Sequence, residues 1–265
     1  MIRVASCLAH WGVAGVTVAQ VLALLPPVAV AMLQAGLPKL VLLVAAAITV
    51  LFWEALFAVV RKRWISVHGM TVALIVAVLI PTDLPIWQIA VVLSLGLVLG
   101  ELIFGGRGFG FLAPATVSLS LLVFSFPQAG LAAVSPEVAL AIVPGAVLLL
   151  FLGLISWRVI LGAGLAVLAL LALQGLPIDP VLISPALIFG LVFLICDPTA
   201  AASTNPGHWL YGGLTGILIV LFSGSDGAIP TETVVFAALL SSVFAPLIDH
   251  IVVLANVTRR RRRHG

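Results

Sequence analysis

The chain has 265 residues, of which 63% are hydrophobic and 8% charged. Soluble domains carry about a quarter charged residues, so this chain has roughly a third of the usual charge, too little to cover a soluble globule. The same numbers exclude a disordered chain, and continuous rather than alternating apolar runs exclude a β-barrel. An all-α polytopic membrane protein remains. The net charge of +3 is not a nucleic-acid signal, since five of the twelve basic residues form one run, Arg259 to Arg263.

Ten apolar segments follow in chain order, near 12–33, 38–60, 68–80, 87–104, 112–126, 138–153, 157–174, 182–196, 209–223 and 233–255. Pro81, Pro85, Pro127, Pro136, Pro177, Pro180, Pro198, Pro206 and Pro230 punctuate them, where they break no helix interior. Several segments are shorter than the roughly 17–20 residues that a full span needs. Short pieces bounded by Gly and Pro predict broken or tilted helices that meet irregular backbone inside the membrane. No cleavable leader is expected, because only Arg3 precedes the first apolar run. Cys7 and Cys196 have neither metal-site nor redox-pair spacing and read as buried.

Lys and Arg orient the spans. With both termini cytoplasmic, Arg3, Arg61, Lys62, Arg63, Arg107, Arg158 and the terminal arginines lie inside, and only Lys39 lies outside. Asp83, Asp179, Asp226 and Glu232 then occupy external loops. Residues 74–99 can be laid on residues 191–221: each stretch has an apolar run, Pro-Thr, a polar loop, a Trp and a second apolar run. Five spans per half is odd, so the halves are read as inverted repeats, at about 12–126 and 138–255, within a single transmembrane domain of residues 1–265. Residues 256–265 read as a basic cytoplasmic tail, suited to anionic headgroups of the lipid bilayer or to a partner subunit.

Ionisable groups inside spans are costly and are functional candidates. Glu54 and Asp249 are the main ones, with interhelical hydrogen bonding as the alternative role. Glu101 lies near a helix end, within reach of the interface. His250 follows Asp249 directly and points to another helix face. Two glycine-rich loops stand out, Phe104 to Ala115 and Asp197 to Gly212. Glycine admits close backbone approach, and helix N-termini after such loops suit polar ligand atoms. Tight turns are the alternative. Trp209 and Tyr211 read as interfacial anchors. Neither loop has the Gly-Lys-Ser/Thr of a phosphate-binding loop, and no dinucleotide fingerprint is present.

FWEALFA, Pro85-x-Trp87-Gln88-x-Ala90, the FGG of the first loop, DPTAAASTNPGHWLYG and FAPLIDHIVV occur in this order. Together they resemble the NqrB and RnfD family, membrane subunits of sodium-pumping NADH:quinone oxidoreductases and of Rnf ferredoxin:NAD oxidoreductases. The resemblance implies a urea-transporter-like fold and a bacterial inner-membrane location. It implies partner subunits of a redox complex, a flavin, and quinone in quinone-reducing members. It places flavin contacts at Gly105, Gly106, Asp197, Pro198, Thr204, Asn205 and Trp209; with the ionisable residues above, an ion pathway is expected at Glu54, Glu101 and Asp249. Family members attach FMN to a Thr in the loop after the fifth span. Here that loop, about 127–137, contains no Thr. Covalent FMN is therefore not expected, and the flavin, riboflavin or FMN, would be held noncovalently. The first loop reads Ala113-Pro114-Ala115 where the family has Asn-Pro-Ala, and the family's Lys-Glu pair is Glu101-Leu102. The extended N-terminus common in NqrB is not expected here. A small-solute channel or transporter on the same scaffold, and a structural anchor for a redox partner, remain as alternatives.

Overall fold

The computed structural model describes residues 13–62, 68–174, 184–224 and 228–264. Cys7, Pro177, Asp179, Pro180 and Asp226 lie outside the described residues. Ten helices account for the predicted segments: α1 (Val13–Ala35), α2 (Leu37–Arg61), α3 (Gly69–Leu79), α4 (Ile86–Leu97), α5 (Pro114–Ser125), α6 (Pro136–Phe151), α7 (Trp157–Gln174), α8 (Pro185–Gly190), α9 (Asn205–Ser223) and α10 (Pro230–His264). No strand occurs among the described residues. Prolines open α5, α6, α8 and α10, where a missing amide proton costs no intrahelical bond.

Among the described residues, three helices are long and apolar enough to cross a membrane, Gly15–Ala35, Leu37–Arg61 and Pro230–Thr258. Large apolar side chains such as Ile48, Phe52, Val59 and Val60 on α2 face outward, more than half exposed. The core holds Leu24, Leu79, Ile89, Leu93, Leu119, Ile142, Phe189 and Tyr211. α7 and α9 approach closely because their contact face is small: a Cβ on Gly212 would be driven into the Val159 carbonyl, and one on Gly216 into the Ala163 carbonyl.

α3 is short and buried on almost every side, Met70 alone excepted. Its 11 residues span about 16 Å, half of a bilayer's hydrocarbon core. The chain is extended at Ile80 and at Pro85, with a turn at Thr82 and Asp83 between them, before α4 begins. α8 is shorter still, with 6 residues. It continues into the wide turn Leu191–Ile195, then an irregular stretch leads to α9. These are the two broken helices that the short apolar segments predict. Protein groups satisfy the backbone at each break, as burial requires. At the first, Lys39 Nζ donates to the carbonyls of Val78 (3.1 Å) and Ile80 (2.7 Å), and Ala132 N donates to Leu79 O at 2.8 Å. At the second, the Tyr211 hydroxyl donates to Ile195 O at 3.2 Å.

Three expectations change. Tyr211 is fully buried and is a core residue rather than an interfacial anchor, because its hydroxyl is needed at the second break. The segment expected from 209 starts at Asn205, since Thr204 supplies an N-cap: its hydroxyl accepts from Gly207 N at 3.1 Å. The basic tail is helical and continues α10 to His264. No Gly or Pro follows Pro246 until the last residue, and arginine is a good helix former that suits a helix C-terminus.

Candidate functional site

Both glycine loops leave a π-turn. α4 runs into Val98–Leu102, closed by Ile103 N to Val98 O at 3.0 Å. α8 runs into Leu191–Ile195, closed by Cys196 N to Leu191 O at 3.1 Å. A π-turn adds a residue to the helical repeat and re-aims the side chains around it. The first one holds Glu101, which is 6% exposed. Glu101 therefore does not reach the interface as its position in the sequence suggests. Gly106 N closes on Glu101 O at 3.1 Å, and the backbone turns with φ of 123° at Gly105 and 105° at Gly106. Those angles favour glycine, which explains the Gly-Gly pair.

In the second loop, Asp197 Oδ1 accepts from Thr199 N (3.0 Å) and Thr199 Oγ1 (2.9 Å). Pro198 follows, exposed. Asp249 reaches over from α10. Its Oδ2 accepts from Ser203 N and Oγ, and its Oδ1 from Thr204 N (3.0 Å) and Oγ1 (2.6 Å). A carboxylate there complements the positive end of α9. Asn205 Oδ1 accepts from Arg158 Nη1 at 2.8 Å, and Trp209 meets Trp157 edge-on at 5.8 Å. His208 stands in the first turn of α9. Its Nδ1 is buried without a hydrogen-bond partner.

Arg107 joins the loops. It stands in the first and lies 3.9 Å from Asp197 Oδ1 in the second, both side chains largely buried. It also donates to Gln20 Oε1 on α1. Arg107, Glu54 and Asp197 all act electrostatically on Glu101. Glu54 Oε1 accepts from Gly69 N at 2.7 Å, holding the start of α3. The predicted residues thus fall into two groups. Asp197 lies against Arg107, and Glu54, Arg107 and Asp197 are near enough to Glu101, beside Gly105 and Gly106, to act on it. Thr204, Asn205, Trp209 and Asp249 gather at the start of α9. Glu54 and Asp249 each make the structural hydrogen bond weighed as their alternative role.

Sequence reasoning used Arg107 only for orientation, although it is the one charged residue within its glycine loop. Lys39 carried a similar signal as the one basic residue on the far side of the predicted topology. The loss of polarity at Ala113 has a local counterpart: it stands at the N-cap of α5 with no side-chain bond, where Thr204 caps α9.

With these loops in view, the comparison with known proteins is decisive. The family described as NQR2, RnfD, RnfE matches over residues 9–135 and 130–258. The chain belongs to that family. Relatives include the NqrB subunit of the Na(+)-translocating NADH-quinone reductase of Pseudomonas paraeruginosa, 31% identical over 269 residues, covering 81% of this chain and 66% of the relative. The protein of the same name from Chromohalobacter salexigens is 32% identical, covering 80% and 64%. That from Azotobacter vinelandii is 32% identical, covering 80% and 66%. The chain thus spans somewhat less than two thirds of the length of these relatives. As an NQR2, RnfD, RnfE family member built of apolar helices, it is a multi-pass membrane protein.

Proposed function

We propose that this chain is a membrane subunit of an ion-coupled electron-transfer complex of the Nqr/Rnf type, which binds flavin noncovalently and works with partner subunits. The observation that carries the reading is the junction of the two glycine loops through Arg107 and Asp197, set beside the buried carboxylates Glu54 and Glu101. Relatives named as the NqrB subunit of a Na(+)-translocating NADH-quinone reductase support it. So does the orphaned His208 Nδ1, a buried polar atom next to Thr204 and Asn205 left over for a ligand. The side chains of Asp197, Thr204 and Asn205 are engaged within the protein. The Gly105 and Gly106 amides donate to Leu102 and Glu101, and Pro198 has no amide proton, so flavin contacts from the loops would come from the backbone carbonyls of Gly105, Gly106 and Pro198, with His208 and Trp209. When bound, flavin supplies the electron-carrying group. Glu54, Glu101 and Asp249 are the acidic groups for an ion pathway.

The same proposal includes ten spans in two inverted five-helix repeats, cytoplasmic termini and an inner-membrane location. The packing pairs support the repeat. α1–α3, α2–α4, α3–α5 and α4–α5 correspond to α6–α8, α7–α9, α8–α10 and α9–α10, while α1–α6 and α5–α10 pair across the halves. The α1–α2 and α2–α3 contacts have no equally strong counterparts.

Flavin absorbance of the purified chain, before and after adding riboflavin or FMN, tests the reading. Bound flavin that weakens in Arg107→Gln supports it. No flavin under any loading condition overturns the flavin part, and an intact mass raised by one FMN overturns its noncovalent character.

A further inference from the structure

A cavity of about 310 Å³ lies at the first break, away from the glycine loops. Its walls include Lys39, the break residues Thr82 and Asp83, Gln34 at the end of α1, and Ser135 at the start of α6. Lys39 is 5% exposed. Two of its three ammonium protons are bound by the Val78 and Ile80 carbonyls, leaving one. A buried ammonium ordinarily takes a carboxylate partner. Asp83 lines the same cavity, exposed, but the two form no ion pair. Gln34 and Ser135 are tied to each other at 3.0 Å, and Gln34 Nε2 donates to Glu137 Oε2 at 3.1 Å, which keeps a second carboxylate close to the cavity. Opposite charges on one open cavity, held apart from one another, leave room for a molecule that carries both.

We infer that this cavity binds a small zwitterion, with its anionic group at Lys39 Nζ and its ammonium at Asp83. A phosphate joined to an ammonium through two carbons has suitable size and charge. It occurs both as free phosphoethanolamine and as the headgroup of phosphatidylethanolamine. The site is independent of flavin binding and of the glycine loops.

The test uses the full chain in nanodiscs of phosphatidylglycerol, titrated calorimetrically with phosphoethanolamine, inorganic phosphate and ethanolamine. Phosphoethanolamine should bind at least about tenfold tighter than either half-molecule, the worth of one added charge-assisted contact. Asp83→Asn, at an exposed position that leaves the Lys39 cap in place, should remove about that factor. The second arm repeats the titration in discs containing phosphatidylethanolamine. Loss of the response there assigns the site to the lipid headgroup, and persistence assigns it to the free solute; both uphold the proposal. Phosphate binding as tightly as phosphoethanolamine, or Asp83→Asn binding like the parent, overturns it. So does the absence of both free-ligand binding and any rise in melting temperature in phosphatidylethanolamine discs.

Discussion

The two broken helices solve one problem with opposite charges. At the first break, α3 ends in the core and its terminal carbonyls carry the negative end of the helix dipole. A cation, Lys39, answers them. At the second, the charged group sits on the far side of the irregular stretch, where the amides of Ser203 and of the N-cap Thr204 lie at the positive end of the α9 dipole. An anion, Asp249, answers those. The Ile195 carbonyl there is left to the neutral Tyr211 hydroxyl. Either end of a break can thus be stabilised by charge, and the choice decides what stays available nearby. The first break keeps a cationic group beside an open cavity. The second keeps its loop fixed by an acid, next to the arginine that joins the glycine loops.

Breaking the first cap should cost most. Lys39→Met leaves two buried carbonyls without donors, a loss of about 2–4 kcal/mol, read as a lower unfolding midpoint in detergent. Unchanged stability would mean that water replaces Lys39 and that the contrast between the breaks is unreal. Asp249→Ala comes next, at about 1–2 kcal/mol, because its carboxylate is only partly buried and solvent can take over some of its four bonds. Protease cleavage within residues 196–204 should accelerate along with it. Tyr211→Phe removes one bond to Ile195 O and should cost about 1 kcal/mol, measured the same way. A cost as large as that of Lys39→Met would place the phenol, and not the acid, at the centre of the second break.

The smallest effect concerns pH. Glu137, ahead of the predicted span 138–153, has its pKa lowered, first by its own backbone amide and then by Ser135 and Gln34. A depressed carboxyl contributes stability above its unfolded pKa and loses it as pH falls through the folded value. The first-break end should therefore loosen slightly below the ordinary carboxylate range. Glu137→Gln should flatten that part of the stability profile, followed by amide exchange in residues 131–135.

Much of this architecture is legible from composition and punctuation. Every predicted apolar segment corresponds to a helix, because a 20-residue-scale run of Leu, Val and Ala between Pro and Gly has few other outcomes in lipid. Short segments announced that some helices are broken, but 112–126 and 209–223 are as short as 182–196, so length alone did not say which. What closes them was not legible. Lys39 meets residues 39 and 41 positions away, Asp249 meets residues 45 and 46 away, and Arg107 meets Asp197 across a third of the chain. Such contacts leave no local pattern. The π-turns escaped for a related reason: one extra residue in a helix leaves an apolar run apolar, yet it decides that Glu101 faces inward. Tyr211 was misjudged because the amphipathic ring that suits an interface also suits a buried carbonyl.

α10 keeps its helical course for 35 residues, from Pro230 to His264. At 1.5 Å per residue that is a rod of about 52 Å, well beyond the roughly 30 Å of a hydrocarbon core. The same rod carries Asp249 part-way along and the arginine run at its tip. A body that grips the arginines would therefore hold a lever rather than a string. Tilting that lever moves the carboxylate that pins Ser203 and Thr204, so a push at the tip is felt at the start of α9.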